Sequence, residues 1–115
     1  MSQPHAGPTP EITIHELDQL LQADAAVLVD VREEMEVRRG HVPGALHIPL
    51  GFVHERAASL PHDRRIAVIC QSGNRSRTGA DLLIRQGLDA VSVAGGTSAW
   101  ARSGRAITQG AAHVA

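Results

Sequence analysis

The sequence predicts an α/β domain in which helices cover both faces of a parallel sheet. Three short stretches have the length of strands: the apolar runs at positions 26–29 and 66–69, and positions 91–93, which are apolar except for Ser92. Stretches with apolar residues at helical spacing separate these runs. A strand without alternating polar residues is buried on both faces, as parallel strands are when helices cover their sheet. A single domain of 115 residues is long enough to bury such a core.

The first half of the chain is predicted to contain three strands and two helices. It begins with residues 1–10, which include three prolines and are expected to form a flexible leader. Leu17, Leu20 and Leu21 share one face of the first helix, and Gly40 is suited to end the second. The predicted elements are a strand at 12–13, a helix over 14–22, a strand at 26–29 that leads into Asp30, a helix over 33–39 and a strand at 45–48.

The second half continues the alternation of helices and strands. Ala80, Leu83 and Ile84 give the longest helix its apolar face, and Gly79 would let that helix approach the sheet closely. From residue 104 the side chains are small and polar, so residues 104–115 are expected to form a flexible tail and residues 11–103 the domain. The predicted elements are a helix over 51–60, a strand at 66–69, a helix over 74–86, a strand at 91–93 and one or two helical turns over 97–102.

The composition excludes several classes of function. The net charge of −1, one Phe, one Trp and no Tyr give no basis for binding nucleic acid or a membrane surface. All 11 basic residues are Arg, so lysine-based catalysis is excluded. A single cysteine cannot form an internal disulfide, and the first ten residues lack the apolar core of a secretory signal. We therefore expect a cytoplasmic protein without a membrane-spanning segment.

The only cysteine, Cys70, stands where the apolar run 66–69 ends and a polar loop leads into a helix. A loop of this kind points backbone N–H groups inward, and the helix N-terminus adds partial positive charge, so together they favour an anion. The pKa of a thiol in that cradle should be lowered. A buried structural cysteine is the alternative, but the polar neighbours indicate a partly open, reactive site. The predicted substrate-binding residues are Gln71, Ser72, Gly73, Asn74, Arg75 and Ser76.

The chain resembles the rhodanese-like sulfurtransferases in their single-domain form. Three segments carry the resemblance: residues 30–45, from Asp-Val-Arg to Gly-His-Val-Pro-Gly-Ala; residues 70–76; and Gly-Gly-Thr-Ser-Ala-Trp at 95–100. The resemblance implies a five-stranded parallel sheet with helices on both faces. It also implies that Cys70 carries a sulfane sulfur as a persulfide, without a cofactor. The implied donor is thiosulfate or a small persulfide, and the implied acceptor is a thiol or cyanide, with glutathione or a thioredoxin-like protein as further candidates.

Three charged residues near the cysteine have open roles. Asp30 and Arg32 match family positions near the site and are expected to support the loops through hydrogen bonds. Arg75 could bind an anionic donor or clasp the loop through a carboxylate such as Asp30, and substrate contact is the favoured hypothesis. Ser76 could donate to the sulfur, cap the following helix, or do both.

Two other functions compete with sulfur transfer. A phosphatase or arsenate reductase of the same fold would also use a loop cysteine and an arginine. Such relatives have five residues between the two, whereas four separate Cys70 from Arg75, which predicts a cradle sized for one sulfur atom. A non-catalytic sulfur-carrier module is the third hypothesis.

A metal site is not expected. The histidines, including His41, His47, His54 and His62, show no pair at ligand spacing, and one cysteine completes no site. His41 belongs to a Gly-His-Val-Pro-Gly turn and is expected to form a hydrogen bond there. The acidic cluster at 33–36 is interpreted as a solvated helix face.

Overall fold

The computed structural model describes residues 7–114, which form one six-stranded sheet with five α-helices. The strands are β1 Glu11–Ile12, β2 Ala26–Asp30, β3 Leu46–His47, β4 Arg65–Ile69, β5 Ala90–Val93 and β6 His113–Val114. The helices are α1 Ile14–Gln22, α2 Glu34–Arg39, α3 Val53–Arg56, α4 Asn74–Arg85 and α5 Gly96–Arg102.

The strand order is β1-β5-β4-β2-β3-β6, and neighbouring strands run parallel throughout. This confirms the predicted α/β fold, and the five predicted strands correspond to β1 through β5. Of the predicted leader, residues 1–6 lie outside the described residues. Pro10, at its end, already joins the sheet, because its carbonyl accepts the backbone N–H of Ser92 at 2.8 Å.

Helices cover both faces of the sheet, as the apolar runs predicted. Val53 of α3 and Leu83 of α4 lie in the buried cluster on one face, and Leu17 of α1 and Trp100 of α5 lie in the cluster on the other. At Gly79 a Cβ atom would lie 3.1 Å from a methyl group of the sheet residue Val68, so the absence of a side chain allows the predicted close approach. Within residues 7–114, no helix combines the length and apolar character that crossing a membrane requires.

The predicted helix over 51–60 is wrong as a single helix. The structure has a 3-10 turn at Leu50–Phe52, then α3, then a second 3-10 turn at Ala57–Ser59. Prolines at 49 and 61 limit the length of any helix between them, and backbone hydrogen bonds between residues three apart form at both ends of the segment. These tighter turns satisfy backbone groups that a helix this short would leave without partners.

The segment after α5 also differs from the expected free tail. Arg105 pairs with Asp18 of α1 at 2.8 Å, and the backbones of Thr108 and His41 exchange two hydrogen bonds of 2.9 Å. β6 then adds to the edge of the sheet beside β3. Small polar residues give no periodic signal, so only the tertiary partners of this segment reveal its place.

The sheet brings the ends of β2 and β4 together. The two strands are paired along their length, with Asp30 opposite Ile69. Because β4 ends at Ile69, Cys70 emerges beside the residues that follow β2. The carboxyl edge of the sheet therefore carries the candidate site.

Removing the C-terminal segment should destabilise the domain. The Trp100 indole donates to the carbonyl of Ala106 at 2.8 Å, and Ile107 packs on the core cluster around Trp100. A chain that ends at Ser103 should therefore lose about 2–3 kcal/mol of unfolding free energy in urea denaturation. A chain that ends at Gly110 keeps both contacts and is the control. Equal stability of the wild type and the chain ending at Ser103 would restore the free-tail expectation.

Candidate active site

The candidate site is the loop between β4 and α4, which curls around the sulfur of Cys70. The Sγ atom accepts the backbone N–H of Gly73 at 3.1 Å and that of Ser76 at 3.3 Å. Gly73 has φ +113°, a conformation that side chains disfavour, and it turns the chain into α4. The sulfur therefore sits at the N-terminus of a 12-residue helix, where the helix dipole favours an anion.

Opposing effects act on the ionisation of Cys70. Burial raises the pKa of the thiol because it disfavours the charged form. Hydrogen bonds from the Ser76 hydroxyl and from backbone N–H groups of Ser76, Gly73 and Ser72 lower it. The donors outweigh burial, so the pKa of Cys70 lies below that of an ordinary cysteine. The loop is built to hold a thiolate.

The thiol is less open than the sequence predicted. Cys70 is only 1% exposed, because the loop folds over its sulfur to bring the two N–H groups within reach. Gln71, Ser72 and Asn74 are exposed and form the rim of the loop. The setting is thus buried but lined by polar donors, which distinguishes it from a structural cysteine in an apolar core.

The start of α5 holds the loop in this shape. The carbonyl of Cys70 accepts both the N–H and the hydroxyl of Thr97, at 2.9 and 3.0 Å, and the carbonyl of Gln71 accepts the N–H of Ser98 at 3.0 Å. Gly96 makes this approach possible, since a Cβ atom there would lie 2.5 Å from the Cys70 carbonyl oxygen. These bonds fix the first two peptides after Cys70, and the N–H of Ser72, on the second of them, is among the groups that lower the pKa of the thiol.

Ser92 of β5 is a site residue that the sequence analysis missed. Its hydroxyl lies 2.8 Å from that of Ser76, which in turn lies 3.4 Å from the sulfur of Cys70. Both serines are fully buried. A hydroxyl from Ser92 that donates to Ser76 would leave the Ser76 proton directed at the sulfur. The available signal was a lone polar residue inside an apolar strand.

Behind the loop lies a buried ion pair between Asp30 and Arg32. The pair closes at 2.8 Å, and both side chains are at most 3% exposed. Arg32 also donates to the side chain of Gln71 at 3.0 Å and to the carbonyl of Gly40 at 2.8 Å. One guanidinium therefore joins the end of β2 to the end of α2 and to the first residue after the cysteine.

Arg75 binds a carboxylate, but the partner is Glu36 and not Asp30. Its two terminal nitrogens donate to the two Glu36 oxygens at 2.7 and 2.8 Å. These bonds lower the pKa of Glu36 to about 2, although partial burial opposes the shift. Glu36 is therefore not part of a merely solvated helix face, because its side chain turns toward the loop of Cys70.

The histidines take structural roles in the described part of the chain. His41 Nδ1 lies 3.0 Å from the carbonyl of Val37, which confirms the expected turn hydrogen bond. His47 Nε2 lies 2.7 Å from the carbonyl of Arg32, behind the same network. Among residues 7–114, no three His, Cys, Asp or Glu side chains are grouped so that they could hold a metal ion.

The sequence profile of the rhodanese-like domain family matches residues 13–103. The chain belongs to the rhodanese-like family. YtwF of Bacillus subtilis, a candidate sulfurtransferase, is 40% identical over 91 residues, which cover 78% of this chain and 88% of YtwF. A sulfurtransferase of Allochromatium vinosum is 36% identical over 99 residues, covering 84% of this chain and 92% of that protein. These relatives support a sulfur-transfer role of the rhodanese type.

Two further comparisons concern domain context and fold. YrkF of Bacillus subtilis, a candidate sulfur carrier protein, is 38% identical over 91 residues, which cover 78% of this chain but 49% of YrkF. The crystal structure of a rhodanese-related protein from Thermoplasma volcanium superposes with a TM-score of 0.80 at 31% identity. That match covers 86% of this chain and 97% of the other. The fold of most of this chain is thus shared with nearly the whole of a solved structure.

Ser76 and Ser92 should affect the pKa of Cys70 to different degrees. Iodoacetamide alkylates the thiolate, so its rate of reaction with Cys70 should rise with pH in proportion to the fraction of thiolate. The midpoint of that rise in rate reports the pKa of Cys70. Ser76→Ala removes a direct donor to the sulfur and should raise the midpoint. Ser92→Ala acts only through Ser76 and should raise it less. Ser59→Ala, at an exposed serine distant in sequence, is the control. Unchanged midpoints in both variants would show that the hydroxyls do not stabilise the thiolate.

The ion pair of Glu36 and Arg75 should stabilise the domain in a pH-dependent way. The folded-state pKa of Glu36 is depressed, so its contribution is full above the ordinary value of 4.5 and is lost as pH falls toward about 2. Glu36→Gln should cost about 0.5–1.5 kcal/mol at pH 7, because the pair is bidentate but partly exposed. Urea denaturation should show the difference from wild type shrinking between pH 5 and pH 2. A constant difference would mean that the carboxylate charge is not involved.

Glu36→Gln also separates the two roles considered for Arg75, which are to hold the loop and to bind the sulfur donor. If Arg75 clasps the loop, Glu36→Gln and Arg75→Gln should both lower kcat/KM for thiosulfate. If Arg75 binds the donor, Glu36→Gln frees its guanidinium and should leave kcat/KM unchanged or raise it, while Arg75→Gln lowers it.

Proposed function

We propose that the protein is a sulfurtransferase that moves a sulfane sulfur from thiosulfate or a small persulfide to a thiophilic acceptor. Cys70 carries the sulfur as a persulfide between the two half-reactions. The observation that supports this most directly is the cradle, in which Gly73 and Ser76 offer their N–H groups to the Cys70 sulfur. A site of this kind stabilises sulfur anions without a metal or an organic cofactor.

In the first half-reaction the Cys70 thiolate attacks the outer sulfur of thiosulfate. A bond forms between the two sulfurs, the sulfur–sulfur bond of thiosulfate breaks, and sulfite leaves with the bonding electron pair. The products are a Cys70 persulfide anion and sulfite, so the total charge of three negative units is conserved. No proton transfer or external oxidant is needed, and the lowered pKa of the thiol raises the fraction of thiolate nucleophile at a given pH.

In the second half-reaction an acceptor attacks the outer sulfur of the persulfide. Cyanide would leave as thiocyanate, and a thiolate such as that of glutathione would leave as a persulfide. In each case the Cys70 thiolate is the leaving group. The donors that lower the Cys70 pKa make it a better leaving group, so the same contacts serve both directions. A thioredoxin-like protein is a further candidate acceptor.

The loop offers a limited approach to the buried sulfur. In this proposal a donor presents its sulfane sulfur at the exposed rim of Gln71, Ser72 and Asn74. The N–H groups of the loop then take up the negative charge of the transferred sulfur. Ser76, which is buried, contacts the Cys70 sulfur and does not need to contact the donor.

A sulfur carrier is the second candidate, favoured by the likeness to YrkF. A carrier would accept sulfur once and hold it for a partner protein, with little turnover on small acceptors. The chemistry at Cys70 would be the same, so only the rate of release separates the two candidates. A phosphatase has no comparable support, since the loop has four residues between Cys70 and Arg75 and closes on a single sulfur.

Incubation with thiosulfate should add the mass of one sulfur atom to the protein. Because Cys70 is the only cysteine, the added mass should lie on its peptide and disappear on treatment with cyanide or dithiothreitol. Cys70→Ser should gain no mass and produce no thiocyanate. Sulfur transfer that persists in Cys70→Ser would overturn the proposal. Complete loading of the wild type without repeated turnover would favour the carrier.

A further inference from the structure

A cavity of about 560 Å³ lies beside the Cys70 loop. Its walls come from the end of α2, from α5 and from the segment after α5, which contributes Ile107. This volume is within the range of about 300–1,000 Å³ that is usual for sites of organic ligands. It far exceeds what thiosulfate, with its few heavy atoms, would fill.

The cavity is connected to the reacting sulfur through two residues. Gln71 lines the cavity and directly follows Cys70 in the chain. Thr97 also lines it and binds the Cys70 carbonyl. Arg32 and Ser98, both on the cavity wall, hold the Gln71 side chain at 3.0 and 2.8 Å. A molecule in this cavity would therefore lie against the rim of the cradle.

The charges around the cavity do not cancel. Arg32 is neutralised by buried Asp30, and Glu36 is neutralised by Arg75. Two further cavity residues, Arg39 at the end of α2 and Arg102 at the end of α5, have no ion pair or side-chain hydrogen bond among residues 7–114. They leave two positive charges, one supplied by α2 and one by α5, on the wall of a cavity that has no free carboxylate in that range.

We infer that this cavity binds an organic persulfide donor that carries carboxylates, which Arg39 and Arg102 recognise while its sulfane sulfur reaches Cys70 past Gln71. The inference rests on the proposed function and specifies its substrate class. Planar guanidinium groups suit carboxylates, and guanidinium groups supplied by two different helices suit a donor that carries more than one carboxylate. The apolar contribution of Ile107 would face the organic part of the donor.

The transfer from such a donor balances without another reactant. The Cys70 thiolate attacks the outer sulfur of the persulfide, and a bond forms between these two sulfurs. The bond between the two donor sulfurs breaks, and the donor leaves as a thiolate with the electron pair. The proton of the persulfide stays on the transferred sulfur, so one negative charge enters and one leaves.

The test compares glutathione persulfide with the persulfide of glutathione diethyl ester, which is nearly the same size but lacks free carboxylates. Both donors are assayed by kcat/KM on the full chain. The wild type should prefer the free acid. The double variant Arg39→Gln/Arg102→Gln should lose about ten- to a hundredfold of kcat/KM for the acid, because two charge-assisted contacts disappear. The ester should be little affected.

Arg38→Gln is the matched control. Arg38 neighbours Arg39 on α2, but it pairs with Glu34 and lies outside this cavity. Arg38→Gln removes the same charge as each substitution in the double variant, and it should leave the preference for the free acid intact. Equal losses for acid and ester in the double variant, or no loss at all, would overturn the inference.

Thiosulfate distinguishes failure of the inference from failure of the proposed function. If thiosulfate loads Cys70 while the wild type does not discriminate between acid and ester, the cavity inference is wrong and sulfur transfer stands. If no donor loads Cys70, the proposed function is wrong and the inference falls with it.

Discussion

The site depends on the contact between the start of α5 and the peptide that follows Cys70. Thr97 and Ser98 bind the carbonyls of Cys70 and Gln71, and Gly96 lets the two backbones meet. The peptide whose Gln71 carbonyl is held by α5 has the N–H of Ser72 on its other side, and this N–H is one of the groups that lower the pKa of Cys70. Packing against α5 therefore fixes the first part of the loop, and the turn at Gly73 into α4 places the N–H groups of Gly73 and Ser76 on the sulfur. These donors are backbone groups that stay in place without side-chain reorganisation.

Charged groups around the loop are present in pairs, and this arrangement limits the cost of burying them. Asp30 and Arg32 compensate each other inside the domain, where an isolated charge would be strongly unfavourable. Glu36 and Arg75 do the same closer to the surface. Because these charges are neutralised, the helix dipole and the N–H groups act on the sulfur with little competition. Arg39 and Arg102, which have no ion pair among residues 7–114, stand apart from this pattern.

The sequence predicted what depends on local pattern. The alternation of short strand-like and helix-like segments identified strands β1 to β5, and a cysteine between a strand and a helix identified the reactive loop. Contacts between distant residues were not predictable: Ser92 reaches Ser76 only because β5 lies beside β4, and Glu36 rather than Asp30 faces Arg75. The segment after α5 lacks any periodic signal, and its place depends on partners such as Asp18. The burial of Cys70 follows from a loop curvature that composition does not encode.

The chemistry at this site depends on loop donors that outweigh burial and lower the pKa of the Cys70 thiol. With one cysteine and no tyrosine, the ultraviolet absorbance of the thiolate can be titrated with little interference. The measurement compares the folded protein with the same chain unfolded in urea. The account predicts a single ionisation whose midpoint is lower in the folded protein. A folded midpoint equal to or above that of the unfolded chain would show that burial dominates and would contradict the account.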